Sequence, residues 1–170
     1  MVDFISKWKS GGATCPPRAA MPDIVWAWMG GAVAIAIVAY GSTLAHSPLV
    51  LGSFGASCVL LFGFPDSPFS QPRNVIGGHF FASLVGLLFL YFVGPQWWSM
   101  ALAAASGIAI MQLTRTVHPP AGSNSVIVML TAPHWQFLIT PTLVGAVLLV
   151  IVALFFNNLR EGRSYPKYWY

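Results

Sequence analysis

The chain has 170 residues, of which 56% are hydrophobic and 7% are charged, and its formal net charge is +4. Soluble domains carry roughly a quarter charged residues, so this composition excludes a soluble fold and predicts an integral membrane protein. The positive excess is small and no basic stripe alternates with aromatic residues, which argues against nucleic acid as a partner.

The N-terminal residues 1–23 contain no apolar segment and no small-residue cleavage site. They do not resemble a secretory signal, and we expect a cytoplasmic tail. A transmembrane domain is predicted over residues 24–159, and a second cytoplasmic tail over residues 160–170. Four apolar stretches in this domain approach the ~20 residues that a spanning helix needs. They are residues 24–44, 76–93, 97–113 and 138–159.

Two further apolar stretches, residues 49–64 and 123–132, are shorter and follow proline and small polar residues. At ~1.5 Å per residue, the apolar part of either one covers about half to two thirds of a ~30 Å hydrocarbon core. We expect half-helices joined to extended backbone at these positions. The predicted fold is therefore an all-α integral membrane protein with six membrane segments, four long and two short.

The eight Lys and Arg residues test this arrangement. If all six segments cross the membrane and the N-terminus is cytoplasmic, every one of them lies on the cytoplasmic side. Re-entrant short segments would instead move Arg73 to the outside. Six crossings therefore satisfy the positive-inside rule without exception and predict that both termini are cytoplasmic.

An internal repeat emerges when the chain is shifted by 67 positions. The stretch GASCVLLF (55–62) then falls on GSNSVIVM (122–129). Residues 74–92 fall on residues 141–159 without a gap. Each half thus consists of a long helix, a broken short helix and another long helix.

The same shift brings Gly78 onto Gly145. Three crossings per half mean that the second half enters the membrane from the opposite side. We therefore predict a 3+3 inverted repeat with halves at about residues 24–93 and 97–159, an organisation typical of secondary transporters and channels.

The stretch HPPAGSNS (118–125) interrupts the apolar sequence with two prolines and small polar residues. Unpaired backbone groups cost several kcal/mol each in hydrocarbon, so such a stretch lines a cavity or is buried between helices. We expect the following helix to begin near Ser123, with Ser123 or Asn124 as its N-cap. In an inverted repeat, the two short helices would point their N-termini at each other near the bilayer midplane. Helix N-termini bind anions, so this arrangement predicts an anion site.

The candidate substrate-binding residues lie in and around the two interruptions. They are Ser53, Gly55, Ser57, His79, His118, Gly122, Ser123, Asn124 and Ser125. His118 could donate a hydrogen bond to an anion or carry its proton, or it could bond a backbone carbonyl. His79 is included because an ionisable residue in or beside a span is a functional candidate by default. Asn124 is included because an amide that faced lipid would be expensive.

Arg73 and Arg115 occupy corresponding cytoplasmic positions in the two halves. They could steer anions toward the site, or they could hold the topology and pair with Asp66. Both interpretations remain open from the sequence.

The four acidic residues all lie at or beyond the ends of the predicted spans. They are Asp3, Asp23, Asp66 and Glu161. They cannot form a Ser/His/Asp set or a carboxylate pair, and no P-loop is present, so no enzymatic activity is predicted. Their distribution also argues against cation transport, which usually requires a carboxylate within the bilayer. Cys15 and Cys58 have no metal-ligand spacing, and no cofactor is expected.

The stretches SPFSQPRNVIGGH (67–79) and VHPPAG (117–122) together resemble the HPP family of small integral membrane proteins, and the resemblance extends over residues 24–158. It implies nitrite transport, which is known for plant plastid and cyanobacterial relatives, and a four-helix description that agrees with the four long spans. We therefore expect a transporter or channel for nitrite, with nitrate, formate or bicarbonate as further candidates. The expected location is a bacterial inner membrane, or a plastid membrane in a eukaryote.

Two other classes of function fit the sequence less well. A metal-handling membrane protein would use the four histidines, Cys58 and the six methionines, but their spacings fit no ligand motif. A purely structural subunit of a membrane complex would suit the small size, but it would need no polar interruption in both halves. The sequence leaves open whether the protein is a homo-oligomer and whether transport is coupled to protons.

Overall fold

The computed structural model describes residue 8 and residues 13–170, and every regular element in that part of the chain is helical. The six α-helices are α1 (Met21–Leu44), α2 (Gly52–Cys58), α3 (Pro72–Phe92), α4 (Trp97–Leu113), α5 (Gly122–Thr131) and α6 (Val144–Asn158). The predicted all-α fold class is thus confirmed, and it is consistent with a membrane protein. The basic residues of the N-terminal tail at positions 7 and 9 lie outside the described residues.

Wider or tighter turns extend two of these helices. A π-helical turn at Val59–Gly63 continues α2, so that this helical segment is Gly52–Gly63. A 3-10 turn at Trp135–Leu138 and a π-helical turn at Ile139–Leu143 precede α6. Within the latter, Thr140 is extended (φ −129°, ψ 115°) immediately before a proline. A residue in front of proline is disfavoured in the α conformation, which explains the kink.

Three helical segments are long and apolar enough to span a membrane by length and composition. They are Met21–Leu44, Pro72–Phe92 and Trp135–Asn158. The fourth predicted long span, α4, has 17 residues, which is at the lower limit of ~17 for a spanning helix. Gly52–Gly63 and the ten-residue α5 are the two short segments.

Prolines shift two helix starts away from the positions that the sequence predicts. Pro72 occupies the first turn of α3, so this helix begins four positions before the apolar run at residue 76. The predicted cap of α5 is wrong in detail. This helix follows a 3-10 turn at Pro119–Ala121, begins at Gly122 and has no side-chain cap. Ser123 does not cap it because its hydroxyl donates to the carbonyl of Pro120 at 2.8 Å.

Charged residues gather at one end of the helical bundle, which we call the basic end. Asp23, at the start of α1, lies 2.6 Å from Arg160 and 3.3 Å from Arg163, both of which follow α6. Asp66, in the loop after α2, lies 3.1 Å from Lys167. The two ends of the chain and the loop between α2 and α3 therefore meet on one side.

Contacts of α3 and of the C-terminal tail extend this picture. Arg73, at the start of α3, donates to the carbonyl of Thr114 at 3.1 Å, which brings the end of α4 to the basic end. Tyr165 in the tail donates to the carbonyl of Ser70 at 2.8 Å. Burial raises the pKa of the Tyr165 hydroxyl, so it remains protonated and available as this donor.

The opposite end of the bundle is marked by Tyr91, at the end of α3. Its hydroxyl donates to the carbonyl of Pro133 at 3.2 Å, and its ring stacks on Trp135 with centroids 5.3 Å apart. The segment 52–63 and α5 each connect this end with the basic end, because both lie between loops at opposite ends. This arrangement is the one that six crossings require.

Helix α3 is the central helix and packs against α4, α5 and α6, whereas α1 packs against α6 and Gly52–Gly63. Two glycines allow extended backbone to approach long helices. A Cβ atom at Gly78 of α3 would lie 2.9 Å from the carbonyl oxygen of Thr116. A Cβ atom at Gly145 of α6 would lie 2.8 Å from the carbonyl oxygen of Leu49. Only glycine permits these two approaches without displacement of the backbone.

Candidate functional site

Two histidines and a serine from three parts of the chain meet in the interior of the bundle. The Ser57 hydroxyl lies 2.8 Å from His118 Nε2 and 3.4 Å from His79 Nε2. The two imidazole rings have centroids 5.1 Å apart. All three residues are fully buried, and we call them the histidine cluster.

Each member of the histidine cluster is positioned by a different element. Ser57 lies on α2 and His79 on α3, whereas His118 is extended (φ −135°, ψ 99°) immediately before Pro119. The missing side chain at Gly78 allows His118 to approach α3, since a Cβ atom there would lie 2.7 Å from His118 Cβ. His118 of the HPP motif is therefore in direct contact with Gly78, the glycine before His79.

Further partners fix the rings of the two histidines. His118 Nδ1 lies 2.7 Å from the carbonyl oxygen of Phe69, in the turn before α3. The Phe54 ring stacks on His79 with centroids 5.1 Å apart and an interplanar angle of 6°. The second nitrogen of His79, Nδ1, is buried and has no hydrogen-bond partner.

A second polar group lies one helical turn further along α3, at Ser83. The Asn124 side-chain amide donates to the Ser83 hydroxyl at 2.9 Å, and this hydroxyl lies 3.2 Å from that of Thr142. All three residues are fully buried, and we call them the amide cluster. Since residues i and i+4 share a helix face, the two clusters lie on the same face of α3, and we call them together the polar seam.

The other predicted site residues lie outside these hydrogen-bonded clusters. Ser125 is buried and donates to the carbonyl of Ala82 at 2.8 Å, which joins α5 to α3. Ser53 is buried and its hydroxyl has no partner. Gly55 lines an apolar groove of about 460 Å³ between α1 and α2. Gly122 is half-buried and Ser123 is exposed.

The two arginines lie at the basic end, away from the hydrogen bonds of the seam. Arg73 is half-buried and its guanidinium donates to a backbone carbonyl. It does not pair with Asp66, which binds Lys167 instead. Arg115 is exposed and adopts a positive φ of 56° in the loop after α4.

The two short helices do not meet tip to tip. The turn that opens α5 contacts the body of α2, because His118 bonds to Ser57 near the end of Gly52–Cys58. The contact between these two segments is therefore made by side chains, His118 with Ser57, rather than by two facing sets of backbone amides.

The polar seam has no carboxylate among its members. The acidic residues within the described ranges, Asp23, Asp66 and Glu161, all belong to the basic end or the tail beyond α6. Among the residues that the structure describes, no group of three or more His, Cys, Asp or Glu could hold a metal ion. The seam therefore offers imidazole, hydroxyl and amide groups without a carboxylate.

Three contributors to the seam were missed by the sequence reasoning. Ser83 carries a usable signal, because it lies one turn from His79 on the same helix face. Thr142 and the Phe69 carbonyl carry none, since one is a lone polar residue in an apolar run and the other is a backbone group.

Comparison with known proteins agrees with the sequence resemblance. A family model described as HPP, transmembrane region, matches residues 16–166. Two proteins of Dictyostelium discoideum, each named only as a transmembrane protein, are 36% and 33% identical to it over 183 and 181 aligned positions. These alignments cover 100% and 99% of this chain, which spans 64% and 58% of the relatives. No solved structure matches the chain. The chain therefore belongs to the HPP family of transmembrane proteins.

Proposed function

We propose that this protein is a transporter or channel for a small inorganic anion, with nitrite as the first candidate and nitrate, formate or bicarbonate behind it. One observation carries the proposal. The histidine cluster is completely buried inside an apolar helical domain, where two ionisable side chains and a hydroxyl share hydrogen bonds. Ionisable residues in that setting are costly and mark solute or proton pathways by default.

The chemistry of the seam favours an anion over a cation. Imidazole N–H, hydroxyl and amide groups can each donate a hydrogen bond to an oxyanion. An alkali or alkaline-earth cation would instead require carboxylate or carbonyl ligands, and the carboxylates of Asp23 and Asp66 pair with arginine and lysine at the basic end. The proposed site combines the histidine cluster with Asn124, and the arginines at the basic end would attract anions toward it.

We also propose that the domain is a 3+3 inverted repeat. Gly78 and Gly145 differ by 67 positions, and so do the residues whose carbonyls approach them, Leu49 and Thr116. Through these contacts, each of these two helices packs on the extended segment that precedes the short helix of the other half. The helix pairs agree with the repeat as well. In it, α1 corresponds to α4 and α6 corresponds to α3, and accordingly α1 packs on α6 and α4 packs on α3.

The basic end is proposed to face the cytoplasm of a bacterial cell, or the equivalent side of a plastid membrane, because arginine and lysine favour that side. In a background without Cys15 and Cys58, Gln96→Cys and Gln136→Cys should react with an impermeant thiol reagent in intact cells. Ser164→Cys should react only after permeabilisation. Labelling of Ser164→Cys from outside would reverse the proposed orientation.

Flux into proteoliposomes tests the transport proposal. Purified protein should dissipate a nitrite gradient faster than protein-free vesicles at neutral to alkaline pH, where leakage of the neutral acid is small. Potassium and sodium flux should stay at the background of empty vesicles. Equal cation flux, or nitrite flux no faster than in empty vesicles, would contradict the proposal.

The two alternative classes have less support. A metal-handling protein would use all four histidines, but His46 and His134 lie in loops at the far end of the bundle from the basic end. A structural subunit would not require a buried histidine pair. No enzymatic activity is part of this proposal.

A further inference from the structure

We infer that the histidine cluster is a proton relay that takes up one proton together with each anion, so that the substrates are the anions of weak acids. This inference rests on the proposed transport function and adds the coupling ion and the class of anion. It follows from which atoms of the cluster carry hydrogen.

The hydrogen of His118 is fixed by its backbone partner. The Phe69 carbonyl oxygen can only accept a hydrogen bond, so His118 Nδ1, at 2.7 Å, carries the hydrogen. In a neutral imidazole the other nitrogen is then an acceptor. The Ser57 hydroxyl has two possible acceptors, His118 Nε2 at 2.8 Å and the Ser53 carbonyl at 3.1 Å, and the shorter contact assigns its hydrogen to His118 Nε2.

The same argument extends to His79. Once the Ser57 hydroxyl donates to His118, its oxygen can only accept from His79 Nε2 at 3.4 Å, so this nitrogen carries hydrogen. The hydrogen bonds then run in one direction, from His79 through Ser57 to His118 and the Phe69 carbonyl. His79 Nδ1 remains a bare acceptor that is buried and has no partner.

A bare buried acceptor does not suit a naked anion, which also brings only lone pairs. It suits a ligand that brings a hydrogen, and a weak acid is an anion together with one proton. The O–H group of such an acid would transfer its proton to His79 Nδ1. The Nε2 proton of His79 would pass to Ser57, and the hydroxyl proton of Ser57 to His118 Nε2.

The result of this transfer is balanced and favours the anion. His79 is neutral again but now presents Nδ1–H to the anion as a donor. His118 becomes an imidazolium whose Nδ1–H is held by the Phe69 carbonyl. One acceptor has become a donor, and one positive charge has appeared beside the anion without any permanently charged side chain.

The surroundings contain few competing groups. On α2 the neighbouring titratable residue is Cys58, which is buried. On α3 the charged residue is Arg73, which bonds to the Thr114 carbonyl, and in the tail Tyr165 donates to the Ser70 carbonyl. The helix α6 presents no titratable side chain. The proton therefore resides on the histidine pair.

Nitrogen-15 spectra of labelled histidine test the relay without a transport measurement. The double variant His46→Gln/His134→Gln keeps only the two buried histidines, and His118→Gln assigns them. His118 should carry its hydrogen on Nδ1 and His79 on Nε2. Hydrogen on His118 Nε2, or rapid tautomer exchange at both residues, would overturn the relay even if transport occurs.

Simultaneous recording of nitrite uptake and internal pH tests the coupling. Wild-type protein should move one proton with each nitrite, independently of membrane potential, and should carry nitrate, the anion of a strong acid, at least tenfold more slowly. Ser57→Ala should slow uptake by roughly tenfold or more, whereas Ser57→Thr, which keeps the hydroxyl, should restore it. Ser99→Ala is the matched control, because Ser99 is a buried serine of α4 without a hydrogen-bond partner.

The outcomes separate the two proposals. Nitrite uptake that is driven by voltage and leaves internal pH unchanged would overturn the relay and leave anion transport intact. Equal rates for nitrate and nitrite would do the same. No uptake above protein-free vesicles, with all variants eluting as folded protein, would overturn both proposals.

Discussion

Residues 116–121, which lead into α5, and residues 49–54, which include the first turn of α2, each pass close to a glycine of a long helix. The first segment is polar near its contact, with Thr116 and His118, whereas the second presents Leu49 and Phe54. Both contacts bring a backbone carbonyl close to the glycine. Both backbone contacts therefore require a glycine in the long helix and a short helix beside it. The chemical difference between them depends on a few side chains of the approaching segment.

The same difference appears at the histidine cluster itself. A shift of 67 positions relates its members to three other buried residues. They are Asn124, Ala146 and Leu51. Only Asn124 of this second set is polar. The buried ionisable side chains are therefore present in the histidine cluster and absent from the positions related to it. The proposed repeat thus holds an asymmetric site.

Replacement of His118 by the leucine found at its related position should give the largest effect on transport. His118→Leu removes the hydrogen bonds to Ser57 and to the Phe69 carbonyl. Loss of two hydrogen bonds predicts roughly a hundredfold lower nitrite flux in proteoliposomes. His134→Leu, in an exposed loop, is the control, and equal loss in both variants would mean that the histidine cluster is not the site.

The two glycine contacts should contribute about equally to stability, although only one of them borders the histidine cluster. Gly78→Ala and Gly145→Ala would each force a Cβ atom against a backbone carbonyl and side chains. Overpacking of this kind predicts a loss of about 1–3 kcal/mol each in the free energy of unfolding. Thermal unfolding in detergent measures it, with Gly52→Ala as the control because no atom lies within 4 Å of a Cβ atom there. A loss at only one of the two glycines would show that the contacts are not equivalent.

Asn124 is the polar member of the second set, and its replacement should have an intermediate effect. Asn124→Ala removes one donor to Ser83 and leaves the backbone of α5 in place. A single hydrogen bond predicts roughly a tenfold weaker apparent nitrite affinity, measured from the concentration dependence of flux. Asn157→Ala is the matched control, since Asn157 is equally buried and donates to the Leu61 carbonyl outside the seam. An equal change in both variants would assign the effect to packing.

The smallest effect is expected at the basic end, outside both sets. Asp23→Asn removes the charge that Arg160 and Arg163 share, but the Asp23 side chain is 41% exposed. Exposed ion pairs predict a loss of less than about 1 kcal/mol in unfolding free energy, and less still in high salt. A loss as large as that of Gly78→Ala would mean that the C-terminal tail is essential to the fold.

Much of this fold was predictable because apolar runs and prolines leave clear signals in the sequence. The residues of the histidine cluster were all candidates before the structure was known, since histidine and serine stand out in an apolar chain. Their mutual contact was not predictable, because the sequence suggested facing helix ends, whereas in the structure His118, which precedes α5, bonds to Ser57 on α2. The role of Phe69 was also hidden, since its carbonyl acts and every residue has one.

The helices α1 and α4, which correspond in the proposed repeat, differ in length by seven residues, with 24 and 17. At ~1.5 Å per residue their lengths are about 36 Å and about 26 Å, on either side of a ~30 Å hydrocarbon core. Trp97 and Leu113, at the two ends of α4, are each 82% exposed and meet lipid where this helix stops. A mismatch of this kind is relieved by thinning of the bilayer beside the short helix or by tilt of the long one, so we expect the chain length of the surrounding lipids to affect the activity of the protein.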